Sequence, residues 1–188
     1  HVEQASIACT AGANWLQYRC LTKTDEELVD EINQIADICD EWGMTLIITN
    51  HYHLLGEVDA QGVHIEDFDA DFAAIREHIG DDKTLGGSAT NIESLLKVQA
   101  TGVVDYCGYG PFAHTDTKPN NKSLLGFEGY RELQKYDIEI PTIAVGGIQL
   151  DDVDRLLATG VYGIAVSAAV NKSVNPGNAI KEFYRKIY

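Results

Sequence analysis

The sequence predicts an α/β fold, a compact (β/α)8 barrel (TIM barrel) that forms a single domain over residues 1–188. Short apolar runs rich in branched residues alternate with segments of helical period, as in repeated strand-helix units around a parallel sheet. Seven such runs can be counted, and polar residues gather where they end. Because this barrel has eight strands and a helix over 2–11 precedes the first run, we expect one strand to be absent from this N-terminus. An open doubly wound sheet is the structural alternative.

The seven predicted strands share a high content of branched and aromatic residues and are bounded by glycine or polar residues. They are "NWLQYR" (14–19), "MTLIIT" (44–49), "GVHI" (62–65), "TLGGS" (84–88), "VDYCGYG" (104–110), "PTIAVGG" (141–147) and "YGIAVS" (162–167).

The segment 25–42 has the clearest helical pattern between these strands. Its apolar residues recur at three- and four-residue spacings, and acids fill the other side, which predicts one buried face. That face comprises Leu28, Ile32, Ile35, Cys39 and Trp42. Thr24 with Glu27, and Thr90 with Glu93, fit the capping-box pattern at helix starts. The glycines of two "ATG" triplets, Gly102 and Gly160, are predicted to end helices. Trp15 is expected to pack in the core.

Composition excludes several classes of protein. The formal net charge is −15 and only 14 residues are Lys or Arg, so a basic stripe for nucleic acid is absent and no nucleic-acid partner is expected. Four cysteines without a CxxC pair support neither a zinc knuckle nor a disulfide framework. No apolar run is long enough to span a membrane, and no leader opens the chain. We therefore expect a cytoplasmic protein with no membrane partner.

Polar residues follow almost every predicted strand. In a barrel, all the carboxyl ends of the strands meet on one face, where the loops build the active site. The residues at these ends are Gln17, Arg19, Thr49, Asn50, His64, Ser88, Thr115, Thr117, Lys118, Gly147 and Ser167, with Asp69 just beyond the third strand. Much of the basic minority is predicted on the same rim, as Arg19, Lys23, Lys118, Lys122 and Lys172, which would attract an anion against the overall charge.

These stretches resemble the thiamin phosphate synthase (thiamine-phosphate pyrophosphorylase) family, including its thiazole tautomerase relatives. The resemblance runs from about residue 2 to about residue 170 and is most specific in "GPFAHTDTK" followed by "LLGFEGY". Further stretches match in order and spacing, namely "WLQYR", "DAQGVHIEDFD", "LGGSATN", "IAVGGI" and "GIAVSAA".

The resemblance implies a transferase that joins hydroxymethylpyrimidine pyrophosphate to thiazole phosphate and releases pyrophosphate, with Mg²⁺ as cofactor. It implies phosphorylated small-molecule substrates and is compatible with a homodimer. Carried over residue by residue, Arg19 and Lys118 would hold pyrophosphate, and with Ser88 they form the expected catalytic set. Gln17, His64 and Ser88 would surround the pyrimidine, and Asp69 would bind Mg²⁺. The thiazole phosphate would lie against Thr115, Thr117, Gly147, Val166 and Ser167.

Two positions depart from the family pattern. Leu21 stands where the Gln-x-Arg-x-Lys motif has lysine, and Lys23 follows two residues later. Thr49 and Asn50 stand where the family has Asn-Asp, so Asn50 offers a neutral oxygen to substrate or metal in place of a carboxylate. These losses predict weakened activity. A tautomerase-like isomerase and a non-catalytic barrel that binds thiamin phosphate or thiazole phosphate are the alternative functions.

The "HYH" of residues 51–53 offers a different hypothesis, a zinc site. His-x-His after a barrel strand can chelate zinc if further ligands join it, and His64 and Asp69 are the candidates by position. Two histidines in a polar loop are more commonly helix-start residues, and we rank this hypothesis below the phosphate site.

Overall fold

The computed structural model describes residues 1–115 and 123–188. The seven predicted strands are all present within these ranges, with shorter ends. In chain order the helices and strands are α1 (Val2–Thr10), β1 (Trp15–Tyr18), α2 (Asp25–Trp42), β2 (Thr45–Thr49), β3 (Gly62–His64), α3 (Phe72–Ile79), β4 (Thr84–Ala89), α4 (Ile92–Ala100), β5 (Tyr106–Tyr109), α5 (Gly126–Arg131), β6 (Thr142–Val145), α6 (Val153–Leu157), β7 (Gly163–Ala165), α7 (Ala168–Asn171) and α8 (Pro176–Ile187).

The strands form one parallel sheet in the order β1 to β7, so each strand pairs with the next along the chain. The sheet curls into a half-barrel, and the fold is a TIM-barrel-like α/β fold. No pairing between β1 and β7 is found among the described residues. A complete eight-stranded barrel therefore stays a prediction.

Side chains alternate between the two faces of this sheet, as the two-residue period of a strand requires. Leu46, Ile48 and Leu85 join helix residues in the hydrophobic core. Thr49 and His64, which are register partners on β2 and β3, lie on the inner face with the polar residues of the site. The alternation thus separates residues that hold the fold from residues available for chemistry.

Helix α2 confirms the predicted face except at its last residue. Leu28 and Ile32 are fully buried, but Trp42 is 55 % exposed because it lies in the final turn, beyond the packed part of the helix. The prediction for Trp15 was also wrong, since it lies on the inner face against Tyr106 and is 46 % exposed.

Helix ends follow local chemistry closely. Thr24 and Glu27 form the predicted capping box of α2. The second predicted box was wrong, because α4 begins one residue later with Asn91 and Ser94 as the reciprocal pair. Gly102 and Gly160 have φ of 68° and 90°, the left-handed backbone expected after a helix.

The described part of the chain contains no helix with the length and apolar character needed to cross a bilayer. All four cysteines are free thiols and buried, which confirms that they form no disulfide framework.

Candidate functional site

Four of the predicted site residues form a polar network across the inner face of the sheet. The Gln17 Nε2 group donates to Thr49 Oγ1 at 3.1 Å, which joins β1 to β2. On the next two strands, His64 Nε2 lies 2.8 Å from Ser88 Oγ. Since Thr49 and His64 are register partners, the two pairs are adjacent on the sheet. The structure therefore brings together the residues that the resemblance places around a pyrimidine.

Tyr106 extends this network and was missed by the sequence analysis. Its hydroxyl lies 3.0 Å from His64 Nδ1, so both ring nitrogens of the histidine have polar partners. Burial raises the pKa of Tyr106, which keeps the phenol neutral at physiological pH. Gly86 makes room for the ring, because a Cβ atom there would lie 2.3 Å from Tyr106 Cζ. Tyr106 lies on the same face of β5 as Gly108, the residue that pairs with Ser88 of β4, so strand alternation was the signal that could have found it.

Arg19 lies at the end of β1 and is held by a carboxylate that the sequence analysis also missed. Its Nε donates to Glu66 Oε1 at 3.0 Å and its Nη2 donates to Oε2 at 3.4 Å. The pair is partly exposed, with 29 % of the Arg19 side chain and 17 % of the Glu66 side chain accessible to solvent. Glu66 follows His64 at a spacing of two, so the alternation of β3 would have placed both on the inner side.

The same carboxylate contacts Asn50. The Asn50 Nδ2 group donates to Glu66 Oε2 at 3.2 Å, and the Glu66 backbone N–H donates to Asn50 Oδ1 at 2.9 Å. Asn50 has φ of 66°, a left-handed backbone that asparagine tolerates better than most residues. A carboxylate therefore stands beside residue 50, the position at which the family pattern has an aspartate.

Asp69 lies farther out than predicted. It is an exposed residue in the loop after β3, and its carboxylate forms an ion pair with Lys97 of α4. Among the described residues, no recorded contact joins Asp69 to Arg19 or Asn50. Its approach to the strand ends would require that it leave Lys97.

The residues predicted around thiazole phosphate are described only in part. Segment 110–115 runs alongside the end of β6, where the Ala113 N–H donates to Gly146 O at 2.9 Å. Gly147 has φ of 72°, and a Cβ atom there would lie 2.6 Å from His114 O, so only glycine fits. Gly147 and the chain leading to Thr115 are thus neighbours, and Val166 and Ser167 follow the adjacent strand β7. Thr117 and Lys118, with Lys122, lie outside the described residues.

The two departures from the family pattern occupy different surroundings. Leu21 is 62 % exposed. Lys23, the candidate replacement, forms an ion pair with Glu31 of α2 at 2.9 Å. Lys23 is therefore directed to the helix in this structure, and the position of the missing lysine is open to solvent.

Comparisons with known proteins decide the family. The family model described as "Thiamine monophosphate synthase" matches residues 1–170. The chain belongs to the thiamine monophosphate synthase family. It is 34 % identical over 180 residues to a thiamine-phosphate synthase of Flavobacterium psychrophilum, covering 94 % of this chain and 87 % of the relative. It is 33 % identical over 180 residues to a thiamine-phosphate synthase of Bacteroides fragilis, covering 94 % of this chain and 88 % of the relative.

Solved structures agree with this membership of the thiamine monophosphate synthase family. A thiamine phosphate pyrophosphorylase from Pyrococcus furiosus superposes with a TM-score of 0.89 at 27 % identity, covering 100 % of this chain and 89 % of that one. A 3-hexulose-6-phosphate synthase superposes with a TM-score of 0.68 at 14 % identity, covering 100 % and 95 %, and shares the fold alone. The predicted resemblance and the predicted class of enzyme, a transferase, are confirmed. These relatives do not favour the tautomerase or the non-catalytic binder.

Proposed function

We propose that this protein transfers the hydroxymethylpyrimidine group from its pyrophosphate to the ring nitrogen of thiazole phosphate. The carbon–oxygen bond to pyrophosphate breaks and pyrophosphate leaves with the bonding electron pair. The thiazole nitrogen then donates its lone pair to the pyrimidine methylene carbon, giving thiamin phosphate. The observation that carries this proposal is the convergence of Gln17, His64 and Ser88 on the inner face next to Arg19.

The polar network is suited to hold a pyrimidine by its ring nitrogens and amino group. Ser88 and Gln17 can each donate and accept hydrogen bonds, and the contacts of Ser88 with His64 and of Gln17 with Thr49 fix their positions before substrate arrives. A pre-organised site loses less entropy when the substrate binds. The network would therefore orient the pyrimidine and its methylene carbon for transfer.

Arg19 is the described cation that would stabilise the leaving pyrophosphate. A guanidinium has five N–H donors, and Glu66 takes two of them in this structure. The remaining donors are enough for a bidentate contact with a phosphate group. Glu66 thus positions Arg19 and leaves three of its N–H donors for the substrate. In this proposal Lys118 also holds the pyrophosphate, and Thr115 and Thr117 contact the thiazole phosphate, as the resemblance implies.

Mg²⁺ fits the oxygen donors at this edge. Glu66 and Asn50 supply a carboxylate and an amide oxygen there, and Asp69 would add a second carboxylate only on leaving Lys97; these are the hard ligands that Mg²⁺ prefers. When bound, the ion would supply positive charge to the leaving pyrophosphate. Glu66 would then replace the carboxylate absent at position 50. We also propose that the chain is one domain over 1–188, completed as an eight-stranded barrel. It would work in the cytoplasm on phosphorylated small molecules, as a homodimer.

An assay of pyrophosphate release tests the proposal, with hydroxymethylpyrimidine pyrophosphate, thiazole phosphate and Mg²⁺ present. Replacement Arg19→Ala should lower kcat/KM about a hundredfold, the usual loss for one oriented electrostatic donor (roughly 3 kcal/mol). Arg131→Ala is the matched control, because Arg131 also pairs with a glutamate but is exposed on α5. Leu21→Lys should raise the rate, since the exposed position accepts a lysine and restores a family cation.

Two results would contradict the proposal. Equal loss in the Arg19 and Arg131 variants would mean that Arg19 has no special role. If thiazole phosphate raises the melting temperature but no metal supports turnover, the protein is a binding barrel and not a transferase.

A further inference from the structure

The loop after β2 and the start of α2 bring three metal-binding side chains together. His53 Nε2 lies 3.0 Å from Asp25 Oδ2, and the rings of His51 and His53 have centroids 5.9 Å apart. One potential ligand atom from each of Asp25, His51 and His53 lies within 4.8 Å of the other two. The ligands suggested by sequence position were wrong, because His64 bonds Ser88 and Asp69 pairs with Lys97.

These distances are close to those of a bound transition metal. Zinc binds imidazole nitrogen and carboxylate oxygen at about 2.0–2.2 Å, which puts tetrahedral ligand atoms roughly 3.4 Å apart. One pair is already 3.0 Å apart, and the other ligand atoms, within 4.8 Å, would have to move closer when the ion binds. Two nitrogens and one oxygen favour zinc over Mg²⁺ or Ca²⁺, which select oxygen ligands.

His51 already makes the contact that a metal-binding histidine usually makes on its far side. Its Nε2 lies 3.2 Å from the Cys20 carbonyl oxygen, which can only accept, so Nε2 carries the proton. The neutral ring then keeps its lone pair on Nδ1. Donation of the other ring N–H to a carbonyl fixes the tautomer and increases the basicity of a ligating nitrogen.

Both segments are held in place by the fold. Asp25 is the first residue of α2 and lies within the capping box, in which the Thr24 N–H donates to Glu27 Oε2 at 2.9 Å. His51 precedes and His53 lies within a short 3-10 turn in which the Leu54 N–H donates to His51 O at 3.0 Å. Leu54 is buried, which anchors the turn. The cluster is therefore not formed by two freely moving loops.

We propose that Asp25, His51 and His53 bind one Zn²⁺ ion, with the fourth coordination position open to water. The ion would link the start of α2 to the loop after β2, immediately after Asn50 in sequence. Exposure of Asp25 and His53 leaves that position accessible from solvent. This site stands apart from the proposed transfer reaction, and its binding is measured without substrate.

Titration calorimetry of tag-free, chelator-stripped protein with zinc chloride tests the site. We expect one equivalent to bind, and His53→Gln and Asp25→Asn each to weaken binding at least about tenfold, as loss of a ligand does. The matched control is Asp37→Asn, an exposed acid of the same helix, which should bind zinc as the parent does.

Cobalt(II) gives a second readout, because visible absorption reports four-coordinate geometry and nitrogen ligation. Circular dichroism of each variant verifies that the fold is retained. Zinc binding that is unchanged in His53→Gln and Asp25→Asn would overturn the proposal, as would a parent protein that binds zinc no more tightly than these two variants.

Discussion

Replacement of Asn50 by aspartate restores the family residue but should destabilise this protein. In the structure, Asn50 Nδ2 lies 3.2 Å from Glu66 Oε2 as a hydrogen-bond donor. An aspartate of the same shape would place a second carboxylate oxygen at that distance. The backbone N–H of Glu66 can still donate to the other oxygen, so the change isolates one contact.

The magnitude follows from that separation. Two unit charges 3.2 Å apart repel by about 5 kcal/mol at an effective dielectric constant of about 20, and by about 1 kcal/mol in bulk water. The site is partly exposed, so we expect the free energy of unfolding to fall by about 1–3 kcal/mol. For a chain of 188 residues this corresponds to a fall in melting temperature of about 3–9 °C.

Urea denaturation of four proteins measures the effect: the parent, Asn50→Asp, Glu66→Gln and the double variant. The double variant should recover much of the loss, because glutamine at 66 can donate to the new aspartate and only one charge remains. Asn178→Asp is the matched control, since Asn178 donates to Glu182 at 3.1 Å on an exposed helix surface, where screening by water reduces repulsion to a few tenths of a kcal/mol.

The reasoning is refuted if Asn50→Asp is as stable as the parent in chelator, or if the double variant is no more stable than Asn50→Asp. Either result would mean that Glu66 does not occupy the place of the family aspartate. Saturating Mg²⁺ with pyrophosphate should reduce the deficit, because a bound cation between the carboxylates reverses the sign of the interaction.

Three further changes test the inner face and the helix packing. Gly86→Ala should cost about 1–3 kcal/mol of unfolding free energy in urea titrations, because its Cβ would lie 2.3 Å from the Tyr106 ring; a neutral result would refute the close contact. Tyr106→Phe should lose about 1 kcal/mol and raise KM for the pyrimidine substrate more than it lowers kcat, since His64 loses one polar partner; the reverse split would assign Tyr106 to the chemical step. Burial acts to raise the pKa of Glu31, but hydrogen bonds from the Tyr18 hydroxyl and a lysine outweigh it and lower the pKa. Its stabilisation is thus present above about pH 4.3 and lost as pH falls through the folded pKa, so Glu31→Gln should be less stable at pH 7 and show a flatter acid limb in pH-dependent denaturation. An unchanged acid limb would contradict that assignment.

The fold was largely predictable because its signals are periodic. Branched apolar runs and the face of α2 depend on local patterning, and the strands follow those runs within a few residues. Trp15 and Trp42 were mispredicted because period alone does not reveal where a packed surface ends. Both lie at the margin of their element.

The site was predictable as a set of positions but not as a set of contacts. Gln17, His64 and Ser88 could be placed on one edge from strand ends and the family pattern. The role of Glu66 could not be predicted from the sequence, because it depends on contacts with Arg19 and Asn50, which lie at the ends of two other strands. Asp25 was missed as a partner of His53 for the same reason, since 28 residues separate them along the chain.

The strand order has a consequence for synthesis of the protein. Every strand after β1 pairs with the strand synthesised just before it. Each new strand can therefore pair with a sheet edge that is already present on the nascent chain. Contacts between neighbouring units keep the sequence separation short, which favours rapid assembly from the ribosome outward. Contact between α1 and α8, reinforced by the Tyr184 hydroxyl on Asn14, joins the two termini of the described fold and must come last. A chain released before residue 176 would therefore retain its paired strands but lack the contact between α1 and α8.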